Sequence, residues 1–340
     1  MNSQSSEEEL KKAYKSLESG DAQEAKRILA EALVLDLENK EINFAHWCCS
    51  FWADYVTKVS QIQASNVSEA RSKGDALVSR WESFKTLLER EEREKNIQPR
   101  AVFATQKGVF TLALGAYLEA EGKSKEDLPQ GGFSSSSRIQ KQNAEENAEI
   151  QRMLGLCYKE LGEYETALNH LVQANTLLPS SPKVLAEMAD CFALCGEEKN
   201  AKVLFREAFF IDAQKINIVF LESELILCLI KQVREKGYTG SALLEWIPVY
   251  GILYGVFNVK RQLKQQEVSK LKQDIFAKEN ELKDPTNNEQ VLTPKIINMY
   301  FWLIDHYSRC PDGYVNNEIK NCELQIRVLD EEVYKLYKNK

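Results

Sequence analysis

Proline and glycine are scarce in this chain, 8 and 15 among 340 residues, so little interrupts long helices. Val, Ile and Thr in strict alternation with polar residues are missing, which removes the signature of a half-buried sheet. Histidine occurs only at His46, His170 and His306, too dispersed to suggest a Cys–His or Ser–His catalytic pair. No basic stripe stands out: 44 Lys and Arg are interspersed with 51 Asp and Glu for a net charge of −7, which argues against a phosphate backbone and excludes nucleic acid from the expected partners. The opening MNSQSSEEELKK has neither the positive leader nor the apolar core of a signal peptide. The eight cysteines fall mostly at apolar helical positions instead of a small-domain disulfide spacing. A cytoplasmic, all-α protein is expected.

What the chain does have is an internal echo. Residues 148–181 and 182–215 match position by position at an offset of 34. Gly155 answers to Ala189, Tyr158 to Phe192, Gly162 to Gly196, Ala167 to Ala201, Leu171 to Phe205 and Ala174 to Ala208. Small residues let helix backbones approach, and the bulky residues about a turn away fill the space beside them. Gly162 and Gly196 fall where a helix ends in a left-handed turn, and Pro179 and Pro182 bracket the loop between the two units. A period of this length marks a stacked helix–turn–helix unit.

The pattern resembles the tetratricopeptide repeat. Leu154, Gly155, Tyr158, Gly162, Tyr164, Ala167, Leu171, Ala174 and Pro179 carry the match in the first unit. Met188, Ala189, Phe192, Gly196, Ala201, Phe205 and Ala208 carry it in the second, where Ala213 stands in place of the family's usual proline. The resemblance implies a right-handed helical-hairpin solenoid, here with elongated non-standard helices and a C-terminal capping helix. It also implies a non-enzymatic role in protein–protein binding, as an adaptor or scaffold, with no metal or cofactor.

Weaker echoes extend the organisation. Gly20, Ala25, Leu29, Ala32 and Asp36 fit the second half of a degenerate repeat at 6–39 within an N-terminal lobe, 1–122. A helix bearing Trp47, Phe51, Trp52 and Tyr55 is expected to pair with one bearing Leu77, Trp81, Phe84 and Leu88. Residues 123–145, with the run PQGGFSSSS, read as a flexible loop or linker. The repeat core spans 146–258. Its last part, 216–258, is a degenerate repeat whose long first helix (216–236) precedes Gly237, Tyr238, Ala242, Leu243 and Trp246. A helical capping region, 259–340, closes the chain, which holds about fourteen helices in all.

Two candidate surfaces follow. Carried over from the resemblance, the concave face would present Arg152, Leu156, Lys159, Lys183, Glu187 and Asp190 to a peptide or helix, or would be covered by other helices of the chain. Family members that grip a chaperone's C-terminal carboxylate use asparagine where this chain has Leu156 and Asp190, so that ligand is disfavoured. The second surface is 243–257, LLEWIPVYGILYGVF, an apolar run of about fifteen residues where a bilayer span needs about twenty. Burial as the second helix of a repeat is the main expectation. Partner docking through Trp246, Tyr250 and Tyr254 comes next, and membrane-peripheral docking is an alternative, since Gly251 and Gly255 have the spacing of membrane helix dimers. A further alternative is a small-molecule sensor or enzyme using the repeat groove. Glu121-Gly122-Lys123-Ser124 ends like a phosphate loop but has Tyr117 where the motif requires glycine, so Gly122 reads as a helix terminator.

Overall fold

The computed structural model describes residues 2–89, 96–126, 137–310 and 315–339. Among them are fifteen α-helices, two short 3-10 turns and no strand. The chain divides into two compact units, Met1–Pro179 and Ser180–Lys340. The first holds α1 (Asn2–Glu18), α2 (Ala22–Leu35), α3 (Lys40–Ser60), α4 (Val67–Leu88), α5 (Pro99–Glu126), α6 (Ser137–Glu160) and α7 (Tyr164–Leu177). The second holds α8 (Pro182–Leu194), α9 (Glu198–Asp212), α10 (Glu224–Glu235), α11 (Gly240–Leu253), α12 (Gln265–Leu282), α13 (Glu289–Tyr307), α14 (Val315–Leu329) and α15 (Glu331–Lys338). Helices pack mainly on their neighbours in sequence, notably α4 with α5, α6 with α7 and α8 with α9.

One turn is used repeatedly. Gly20, Gly162, Gly196 and Gly237 have φ of 86°, 84°, 81° and 91°, a left-handed conformation that only glycine adopts without steric cost. In the first three, the N–H of the next residue reaches back five positions: Asp21 to Ser16, Glu163 to Tyr158 and Glu197 to Phe192. Each glycine also donates three residues back, which completes the Schellman closure of the last helical turn. Five, nine and twelve residues on come Ala25, Leu29 and Ala32; Ala167, Leu171 and Ala174; Ala201, Phe205 and Ala208; and Ala242, Trp246 and Val249. All twelve are buried. Between the flanking smaller residues a bulky side chain fills the gap, and full burial of one is worth about 1.5–3 kcal/mol.

Polar residues start the helices. Asp21, Asn39, Asn66, Asn288 and Asp330 each accept hydrogen bonds from the first-turn N–H groups of the helix they open, which satisfies donors a helix cannot pair internally. The expected aromatic pairing is present in the first unit. Trp47 stacks on Phe84 at 5.5 Å, Trp52 lies 6.2 Å from Trp81, and Trp81 meets Phe110 edge-on at 5.7 Å. These rings join α3, α4 and α5.

Three expectations need correction. α5 runs through Gly122 to Glu126, so that glycine ends no helix. The segment 123–145 is helical at 123–126 and 137–145, its remainder (127–136) lies outside the described residues, and α5 and α6 pack together in one unit. The boundary between units falls instead after Pro179. The long helix expected over 216–236 is replaced by turns at Ala213–Lys215 and Ile218–Phe220 ahead of a shorter α10. Asp212 and Asn217 cap those turns by accepting from the N–H of Gln214 and Val219, local bonds that compete with helix.

Candidate functional site

The residues expected to line a groove are mostly inside the protein. Leu156, Lys159, Glu187 and Asp190 are buried. The Arg152 side chain is 11% exposed and ion-paired to Glu149 at 2.7 Å, while Lys183 is exposed. Asp190 serves the fold: its carboxylate accepts hydrogen bonds from the N–H groups of Glu222 and Ser223 at 2.9 and 2.8 Å, anchoring the extended approach to α10. It is therefore not a charge offered to a partner. Lys159 keeps its ammonium 3.9 Å from Glu160, with both side chains fully covered.

The apolar segment is also internal. Trp246 and Tyr250 are 4% and 5% exposed. Trp246 stacks on Tyr238 at 4.7 Å and lies 5.6 Å from Tyr250, and Lys236 sits 5.0 Å above the Tyr250 ring. Of the three aromatic docking candidates, only Tyr254, 42% exposed, reaches the surface. The two glycines close a local turn instead of a helix pair. A Cβ on Gly251 would meet the Phe257 ring at 2.3 Å, and Gly255 is left-handed with φ of 74°.

One described helix, at Pro99–Lys125, is long and apolar enough to cross a bilayer by length and composition alone. Its apolarity has a different explanation. Ala101, Ala104, Val109, Phe110, Ala113 and Tyr117 are buried, and α5 packs on α1, α4 and α6. It is a core helix of the first unit.

Packing leaves an accessible cleft of about 520 Å³ in the first unit, between α1 and α5. Its lining is basic: Lys11, Lys12 and Lys15 from α1 and Arg100 from α5, against Glu18 alone. Tyr14 and Ala104 form the floor, and Phe103, 61% exposed, stands within it. Spacing explains the arrangement. Lys11, Lys15 and Glu18 share one face of α1, and Arg100, Phe103 and Lys107 share one face of α5. Tyr14 donates to Glu41 at 2.8 Å, and burial with this bond pushes its phenol pKa up, so it remains a neutral donor. The Arg100 guanidinium lies 5.5 Å from the Tyr14 ring. Lys107 and Glu18 pair at 2.9 Å between α5 and α1.

A second opening, about 310 Å³, lies in the second unit among α9, α12 and α13. Its charges are internally matched: Arg261 pairs with Glu207 at 2.8 Å and with Glu267 at 2.5 Å. Nearby, Arg206 pairs with Asp305, donates to the Val259 carbonyl and lies 4.6 Å from the Trp302 ring. These groups tie α9 to α13 and to the loop after α11. Among the described residues no three His, Cys, Asp or Glu side chains gather in a metal-holding group.

The cleft is hard to foresee from the sequence because α1 and α5 are about eighty residues apart. The one available signal is Phe103, an aromatic flanked by Arg100 and Lys107 at helical spacing on α5. No protein-family model matches the chain, and comparison with curated proteins finds no match.

Proposed function

We propose that this chain is a non-enzymatic protein–protein interaction module, an adaptor or scaffold component, built from tetratricopeptide-like hairpins stacked as a right-handed solenoid. The observation that carries it is the shared turn at Gly20, Gly162, Gly196 and Gly237, each followed at equal spacing by a buried alanine, a bulky side chain and a further small or β-branched residue. Hairpins of this kind spend their interior on one another and meet partners with their remaining faces. The buried polar groups fit that division of labour, since Asp190 and the Arg206–Asp305 pair serve packing. The α1–α5 cleft is the face proposed for docking, in place of the groove inferred from the repeat. Five of the eight cysteines, Cys48, Cys49, Cys157, Cys191 and Cys322, are buried, which fits packing positions in a reducing, cytoplasmic setting.

Affinity capture from the native cell with mass spectrometry tests this. A protein should be recovered with the intact chain and lost with the Lys15→Glu/Phe103→Glu variant. Recovery of only a stoichiometric small molecule would overturn the reading.

A further inference from the structure

Resting on that docking role, we propose that the α1–α5 cleft takes an acidic segment of a partner protein, with an aliphatic or aromatic side chain of that segment seated on Phe103. Charge gives the sign. The lining presents four cations to one carboxylate in a protein whose net charge is −7. The lone lining acid, Glu18, is already held by Lys107.

The cations are available to a partner. Lys11 pairs with Glu7 at 3.4 Å and Lys12 with Glu9 at 2.7 Å, both within one helix, and Arg100 pairs with Glu41 at 3.4 Å. Those three acids lie outside the lining. With the three cation side chains 57–63% exposed, such pairs are weak and readily exchanged for a better-placed carboxylate. Lys15 has no ion pair among the described residues within 4 Å.

Phe103 supplies the apolar half of the site. A phenyl group 61% exposed beside buried Tyr14 and Ala104 offers a platform that a partner side chain can cover. A concave space of about 520 Å³ suits an inserted segment better than a flat lipid surface does. Two features of the occupant are thus specified: carboxylates at the rim, and one large apolar side chain between them.

Fluorescence anisotropy with the full chain tests this, using a labelled fifteen-residue peptide with Glu at the rim-facing positions and a central Leu and Trp. A matched peptide with Lys for Glu is the control. The acidic peptide should bind and its control should not. Lys11→Glu/Lys15→Glu should weaken binding at least tenfold and Phe103→Ala about tenfold, and raising salt from about 50 to 200 mM should weaken it several-fold. These side chains are exposed, so an unchanged melting temperature shows that the variants are folded. Equal binding of both peptides, no binding of either, or a preference for anionic vesicles over the acidic peptide overturns the proposal. So does self-association in sedimentation that the same variants abolish, which would make the occupant a second copy. If the acidic peptide fails while a captured protein still depends on Phe103, the partner chemistry is wrong and the docking role stands. If no protein is captured at all, the docking role itself falls.

Discussion

A Cβ built on Gly108 would lie 1.8 Å from the carbonyl oxygen of Leu17. α1 and α5 therefore touch backbone to backbone at Leu17 and Gly108, where neither side can yield by rotating a side chain. Gly108→Ala should destabilise the protein by about 3 kcal/mol, the upper range for overpacking, and should also disturb the cleft. Gly115 on the same helix is exposed with nothing within 4 Å of its added Cβ. Gly115→Ala should stabilise by about 0.5–1 kcal/mol through helix propensity. Thermal melts of the two variants side by side check this; similar melting temperatures would refute the contact.

Ala201 is fully buried at a position equivalent to Ala25, Ala167 and Ala242. Ala201→Phe should overpack the α8–α9 hairpin and cost about 1–3 kcal/mol. An unchanged denaturation midpoint would mean that no close crossing exists there.

Asp190→Ala should cost about 2 kcal/mol, because it strands two N–H groups that the carboxylate now satisfies. Hydrogen exchange supplies the local readout: the amides of Glu222 and Ser223 should lose protection ahead of those in α13. Asp190→Asn, which keeps one acceptor oxygen, should fall between wild type and alanine.

All three histidines should make the fold acid-sensitive. Burial is the largest cause lowering the imidazole pKa of His46, His170 and His306, with Lys26 and Lys272 adding to it at His46 and His306. Below the ordinary value of about 6.5 the unfolded chain then binds more protons than the folded one. Their contribution is present above about pH 6.5 and is lost as pH falls through the folded values. Glu245 acts in the opposite sense: burial raises its pKa, so its carboxylate costs stability as pH rises above the usual carboxylate range. Melting temperature against pH should therefore drop on the acid side of neutrality. Replacing the three histidines by glutamine should flatten that drop, whereas Glu245→Gln should raise stability at neutral pH.

Local rules make much of the fold legible. The turn glycines, the alanines five residues on and the Trp and Phe faces of α3 and α4 are readable because each depends on neighbours within one or two helical turns. The fate of 213–223 is less accessible, since its apolar run satisfies a helix pattern while Asp212, Asn217 and the distant Asp190 bond its backbone otherwise. The groove residues are misplaced for a related reason. Helical spacing tells which residues share a face, and says nothing of what covers that face.

The sequence by itself determined helix content, most helix starts and the recurring turn, because backbone sterics, capping and period act over a few residues. Tertiary structure alone decided which faces remained open. It buried Leu156, Lys159, Glu187, Asp190, Trp246 and Tyr250, and it brought Lys11 and Lys15 beside Arg100 and Phe103 across about eighty-five residues of chain. Accessibility is set by whichever helix packs against a surface, and that depends on contacts summed over a whole unit.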